Sequence, residues 1–219
     1  MAETRTLPVT IDVISDAVCP WCFIGKRKLD AALDLLGDIP VTVTWRPYQL
    51  DPTIPQGGIS RQEYMSRKFG PERIAEIHAR LEGVGADVGI PFAFEKITRS
   101  PNTLDAHRVI RWLLPTGNQT QAVDRLFNLY FVEGQDIGDR DLLAKLAGEM
   151  GLDEADVRRR LDTDDDKDAV TEEIGMAQRI GVNGVPFYIF ANKLAVSGAQ
   201  PPDVLAGAIR QAAGLPAQS

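Results

Sequence analysis

Two cysteines, Cys19 and Cys22, stand two residues apart in Cys19-Pro20-Trp21-Cys22, and the chain has no others. An apolar run, Val9 to Ile14, precedes them, and a helix-like segment from about Phe23 to Leu36 follows. Thiols at this spacing on a helix start can close a short disulfide and reopen it. The unsatisfied N–H groups and partial positive charge of a helix N-terminus favour a thiolate on the first cysteine. A stabilised thiolate is both nucleophile and leaving group, so the pattern reads as a dithiol/disulfide centre. A zinc site, a haem attachment and an inert buried pair are the rival readings. A zinc site needs two further ligands, and the two histidines, His78 and His107, are far apart in sequence. A haem attachment needs His at position 23, which is Phe.

The elements that must hold this centre are legible around it. Val9 to Ile14 reads as a central strand covered on both faces. The helix behind the cysteines carries Ile24, Leu29, Ala32, Leu33 and Leu36 and stops at Gly37, and Val41, Val43 and Trp45 alternate in a second strand. This βαβ unit puts the cysteines at the carboxyl end of its first strand, where open α/β sheets bind ligands. From Ser60 to Ile180 the periodicity is helical, opened by the capping pattern Ser60-Arg61-Gln62-Glu63 and punctuated by Asp139 and Asp153 as further caps. Asn102-Thr103 reads as the cap of the helix that carries His107. Phe187 to Phe190 and Lys193 to Val196 form two short strands joined at Ala191-Asn192, and a last helix begins at Pro201-Pro202-Asp203. The expected organisation is therefore residues 7–58 as a first α/β part, 59–181 as a helical insertion, and 182–214 as a second α/β part.

Composition narrows the function. With 44% hydrophobic and 25% charged residues the chain can build a core. Its 24 basic and 31 acidic residues give −7, and the basic ones are scattered. That argues against a nucleic-acid surface or a polybasic membrane anchor. The stretch from Met1 to Pro8 has no apolar leader core, and no run approaches the length of a membrane span. The expected location is the cytoplasm, where a lone cysteine pair is more often catalytic than a structural staple.

The order βαβ, helices, ββα is that of a thioredoxin fold carrying a large all-helical insertion. With Asp16-Ala17-Val18-Cys19-Pro20-Trp21-Cys22-Phe23-Ile24-Gly25, Trp45 to Leu50, Asn102 to Arg108, Gly184-Val185-Pro186-Phe187 and Ser197 to Gln200 on the page, the chain resembles the DsbA family of thioredoxin-fold oxidoreductases. The likeness is to its FrnE-like branch, related to 2-hydroxychromene-2-carboxylate isomerases and kappa-class glutathione transferases. The resemblance implies a disulfide oxidoreductase or isomerase with no tightly bound cofactor, acting on disulfide-containing proteins or small thiol compounds. Glutathione is a candidate co-substrate.

By position, Cys19 is the attacking thiol and Cys22, one turn into the helix, the resolving one. The resemblance implies a cis proline at Pro186 whose neighbour Val185 offers its backbone to substrate, with Pro20 and Trp21 beside it. It also implies that the Ser197–Gln200 loop is where kappa enzymes hold a γ-glutamyl group. Asn102 and His107 are candidates for a groove wall, against the plainer reading of a cap and a packing residue. Two departures matter. Trp21 stands where the strong oxidants of the family have His, and Val13 stands where thioredoxins bury an acid. A glutathione-dependent isomerase or transferase and a non-catalytic partner-binding protein are the competing functions; the kappa class has Ser in place of the first cysteine.

Overall fold

The computed structural model describes residues 8–215. The expected boundary at residue 7 and the leader reading of Met1 to Leu7 lie outside them. The first unit is β1 (Val9–Ser15), α1 (Pro20–Asp34) and β2 (Val41–Pro47). β1 and β2 pair in parallel, Val9 opposite Val41 through Ser15 opposite Pro47. After the helical block come β5 (Phe187–Phe190), β6 (Leu194–Ser197) and α9 (Pro202–Ala212). The four-stranded sheet has the order β2-β1-β5-β6, so β1 is central and meets β5 antiparallel. Ala191 and Asn192 adopt φ of 48° and 54°, the left-handed pair that a tight two-residue hairpin requires.

The block between these parts contains α2 (Arg61–Phe69), α3 (Pro71–Ala86), α4 (Leu104–Trp112), α5 (Gln119–Phe131), α6 (Arg140–Glu149), α7 (Glu154–Leu161) and α8 (Lys167–Arg179). Caps follow the sequence at three starts: Ser60 accepts from Glu63 N, Asp139 from Asp141 N and Leu142 N, and Asp153 from Asp156 N. The block also holds a strand ladder that the helical periodicity concealed. β3 (Ile59–Ser60) and β4 (Arg99–Ser100) are two residues each, and pair antiparallel. Such short strands leave no alternation to read.

One apolar core runs through both parts. Ile11 and Val13 of β1, Phe23 and Leu29 of α1, Phe127 and Phe131 of α5, Tyr188 and Phe190 of β5 and Ile209 of α9 belong to a single buried cluster. Phe23 stacks on Phe127, with ring centroids 5.1 Å apart, so α1 is clamped between the sheet and the helical block.

Candidate active site

Cys19 occupies the N-cap of α1 with an extended backbone (φ −93°, ψ 112°), and Pro20 takes the first helical position, where its missing N–H is not needed. The turn into the helix is fixed by Cys19 N donating to Asp16 O at 3.0 Å and Cys22 N to Cys19 O at 3.0 Å. Cys22 therefore falls in the first turn. Both thiols are free, and the two residues approach to 3.4 Å. Cys22 is the deeper, at 1% exposure against 4% for Cys19. Burial chiefly, and then the neighbouring Cys19, raise the Cys22 thiol well above the usual thiol range; Ser15 and the Asp16 backbone offset part of this. Cys22 is thus held as a protonated thiol behind Cys19.

The segment before β5 closes the site from the other side. The Val185–Pro186 peptide is cis, and the Cys19 thiol donates to Val185 O at 3.6 Å. Gly198 N donates to Pro186 O at 2.8 Å and Lys28 Nζ to Ala199 O at 2.9 Å, which ties the Ser197–Gln200 loop to this segment and to α1. Within that loop Gln200 Nε2 bonds back to Ser197 O, and neither residue lines the cavity over Cys19.

That cavity is a groove of about 480 Å³. Cys19, Pro20, Trp21, Gly184, Val185 and Asp16 line it, together with residues of α2, α3 and β4, the loop residues Leu50, Asp51 and Ile54, and Tyr130 of α5. Pro101 and Thr103 reach it, whereas Asn102 and His107 do not, so the groove wall expected of these two belongs instead mainly to α2 and α3. Asn102 faces inward: Oδ1 accepts from Gln49 Nε2 at 3.0 Å and from Leu104 N at 2.9 Å, and Nδ2 donates to Ile54 O. It pins the loop after β2 to the start of α4, whose N-cap is Thr103, the second residue of the expected Asn102-Thr103 cap. His107, 4% exposed, donates Nε2–H to Tyr48 O at 2.8 Å and lies 3.6 Å from Asp16 Oδ1 beneath the site. A ring nitrogen facing a carbonyl must carry its proton.

The two carboxylates near the missing acid position are already engaged. Asp12 pairs with Arg46 at 2.7 Å, and Asp16 Oδ2 accepts from Leu50 N at 2.8 Å. Val13 itself is buried core. Three features were not foreseen from sequence: the Arg61, His78 and Ser100 lining of the groove, the buried Tyr188 phenol behind α1, and Gly25 packed against it. Only Gly25 carried a sequence signal, as a glycine inside a helical pattern.

A dithiol at the first helix of a β2-β1-β5-β6 sheet, facing a cis X–Pro segment, is the architecture of the thioredoxin-fold thiol oxidoreductases. The family model for the DSBA-like thioredoxin domain matches residues 10–210, and the chain belongs to that family. It is 28% identical over 204 residues to protein YwbO of Bacillus subtilis (strain 168), spanning 93% of this chain and 96% of that one. Its structure is similar to that of a probable DsbA oxidoreductase, SCO1869 from Streptomyces coelicolor (TM-score 0.86, 27% identity, 96% and 92% of the two chains). The fold is shared with the cytosolic disulfide reductase DsbM from Pseudomonas aeruginosa (TM-score 0.65, 18% identity, 92% and 97% of the two chains). No helix among the described residues is long and apolar enough to cross a membrane.

Proposed function

We propose that this protein is a thiol–disulfide oxidoreductase that reduces or rearranges disulfides through Cys19 and Cys22. The Cys19 thiolate attacks one sulfur of a substrate disulfide, forming a mixed disulfide and expelling the other sulfur as a thiolate. Cys22 loses its proton and attacks the Cys19 sulfur, which releases the second substrate thiolate and closes Cys19–Cys22. Two electrons pass to the substrate, and the two protons from the protein thiols accompany them. Where Cys22 is slow, a second substrate thiol resolves the mixed disulfide instead, and the outcome is isomerisation. The observation that carries this reading is the asymmetry of the pair: Cys19 lines the groove, and Cys22, 1% exposed, does not.

Pro20, Trp21, Val185 and Pro186 are proposed as the substrate-contacting frame, with the Val185 backbone receiving an extended substrate segment. Glutathione is proposed as the thiol that re-reduces the pair, with Ser197 and Gln200 near enough to the Pro186 segment to contact it. The structure of DsbM with GSH supports this at the level of the fold. A cytoplasmic setting suits a chain whose cysteines all belong to one pair. The kappa-class reading is disfavoured by cysteine at position 19 where that class has Ser. Insulin reduction with glutathione as reductant, run beside glutathione conjugation to an electrophile, separates the readings. Turnover in the first assay alone is expected; turnover in the second alone would replace a redox enzyme with a transferase, and none in either would leave a binding protein.

A further inference from the structure

The groove over Cys19 is lined by Arg61, Lys68, Arg73 and Arg80, in a chain of net charge −7. Among the described residues none of these four forms an ion pair with a carboxylate. Lys68 donates to the Tyr64 hydroxyl, and Arg80 stands over the Trp21 ring at 5.6 Å. Four buried polar atoms without hydrogen-bond partners line the same groove: Arg61 Nε, His78 Nε2, Ser100 Oγ and Asp16 Oδ1. Buried polar groups are ordinarily satisfied, so such a concentration in one cavity marks a place where a ligand completes the bonding.

Three of these atoms gather at one end. Arg61 N donates to Thr98 O at 2.9 Å and Ile59 pairs with Ser100, so the β3–β4 ladder holds Arg61 beside Ser100. Ser100, 2% exposed, adjoins the Tyr130 phenol, whose own proton goes to Arg99 O. Burial, and then the Arg61 charge, lower the His78 pKa, which keeps that ring neutral at pH 7. The end thus presents one inward-facing cation and two uncharged polar groups, which matches a monoanion better than a dianion. Exposed Lys68, Arg73 and Arg80 at the rim attract negative ligands. Two carboxylates also line the groove and oppose them locally, Asp16 beside Cys19 and Asp51 near Lys68, so the cationic excess there is four to two. Ile54, Tyr64, Met65, Phe69, Ile77 and Leu81 supply apolar lining.

We propose that Arg61, with Ser100 and His78, forms an anion subsite that binds the carboxylate of a small, largely apolar disulfide and lays its sulfur–sulfur bond at Cys19. This names a substrate class for the redox function proposed above and rests on that reading. A groove of about 480 Å³ suits a compact organic molecule.

The test uses the reduced full-length protein and two aromatic disulfides, 5,5′-dithiobis(2-nitrobenzoate), with a carboxylate on each ring, and uncharged 4,4′-dithiodipyridine. The ratio of their rate constants at Cys19 is the readout, because the uncharged reagent normalises for thiolate content. Arg61→Gln is expected to lower that ratio roughly tenfold or more, the usual worth of a charge-assisted hydrogen bond. Ser100→Ala should lower it less, and Arg61→Lys should retain part of the wild-type value. Independently of any redox step, 4-nitrobenzoate should bind Cys19→Ser by calorimetry, and 4-nitrobenzamide should not. Should Arg61→Gln fail to fold, Ser100→Ala and the calorimetry decide. Unaltered ratios in the folded variants, or equal binding of the two nitro compounds, would overturn the subsite and leave the redox reading standing. Carboxylate-dependent binding without reaction at Cys19 would keep the subsite and remove the redox reading.

Discussion

The Cys19 thiol donates to the Val185 carbonyl oxygen at 3.6 Å, across 166 positions of chain. The antiparallel pairing of β1 with β5, Ile14 opposite Phe187, brings the two together. The attacking sulfur therefore sits between a helix N-terminus and the backbone offered to substrate, while the helical block roofs the groove above it.

Gly25 sets the spacing between α1 and that segment. A Cβ at Gly25 would overlap the Tyr188 hydroxyl and stand 2.7 Å from Pro186 Cγ. Gly25→Ala gains about 1 kcal/mol of helix propensity, but the overlap should outweigh it and lower stability by about 1–3 kcal/mol. Tyr188 Oη has no hydrogen-bond partner, so Tyr188→Phe should restore part of the loss. Urea denaturation of the two single variants and the double variant checks this; a Gly25→Ala protein as stable as wild type would contradict the packing.

Arg108 holds the helical block together. It is fully buried, pairs with Asp105 at 2.7 Å, and donates to the carbonyls of Arg160, Leu161, Thr163 and Asp165. Arg108→Met should reduce stability by about 3 kcal/mol, because the four carbonyls lose their donor, while Asp105 keeps its pairing with Arg140 at 2.9 Å. Arg108→Lys should rescue little of it, since one ammonium cannot reproduce the planar fork. A thermal shift of only a degree or two in the Met variant would count against this.

Much of this arrangement was legible in the sequence, and the reasons for the gaps are physical. The spacing of Cys19 and Cys22, the covered run of β1 and the Asn192 hairpin are local patterns, and each survives into the structure. The same kind of reading leaves Asn102 and His107 open between a groove wall and a cap with a packing residue, because periodicity says that a residue is buried but not which neighbour receives its polar atom. Asn102 turned to Gln49 and Ile54, and His107 to Tyr48. Arg61 and Ser100 are brought together by a ladder of two-residue strands, too short to leave an alternation.

Stability should fall at alkaline pH under reducing conditions. Cys22 is raised by burial, and Tyr130 is pushed up to about 12 from 10.0 for the same chief reason. A group raised in the folded state contributes stability that is complete below its unfolded pKa and is lost as pH climbs through the folded one. For Cys22 the loss begins near the unfolded thiol value of about 8.5, and for Tyr130 it spans 10.0 to about 12. Urea midpoints at pH 7 and pH 9.5 should differ more for wild type than for Cys22→Ala. Equal differences would show that Cys22 is not held protonated.

The same burial governs turnover. Cys22 must ionise before it can attack the Cys19 mixed disulfide, so the resolution rate should climb steadily from pH 6 to pH 9 without levelling off. Stopped-flow release of the second thiol from a preformed mixed disulfide reads this step alone. A plateau below pH 7.5 would mean that Cys22 is ionised far more readily than its surroundings imply.

The most direct test of the dithiol account is the intact mass of the two serine variants after exposure to oxidised glutathione. Cys22→Ser should gain one glutathionyl group at Cys19 and keep it, and wild type should pass through that adduct to the Cys19–Cys22 disulfide. Cys19→Ser should remain almost unmodified, because Cys22 is buried and protonated. Stable modification of Cys22 in Cys19→Ser at the rate seen for Cys19 in Cys22→Ser would contradict the assignment of the two roles.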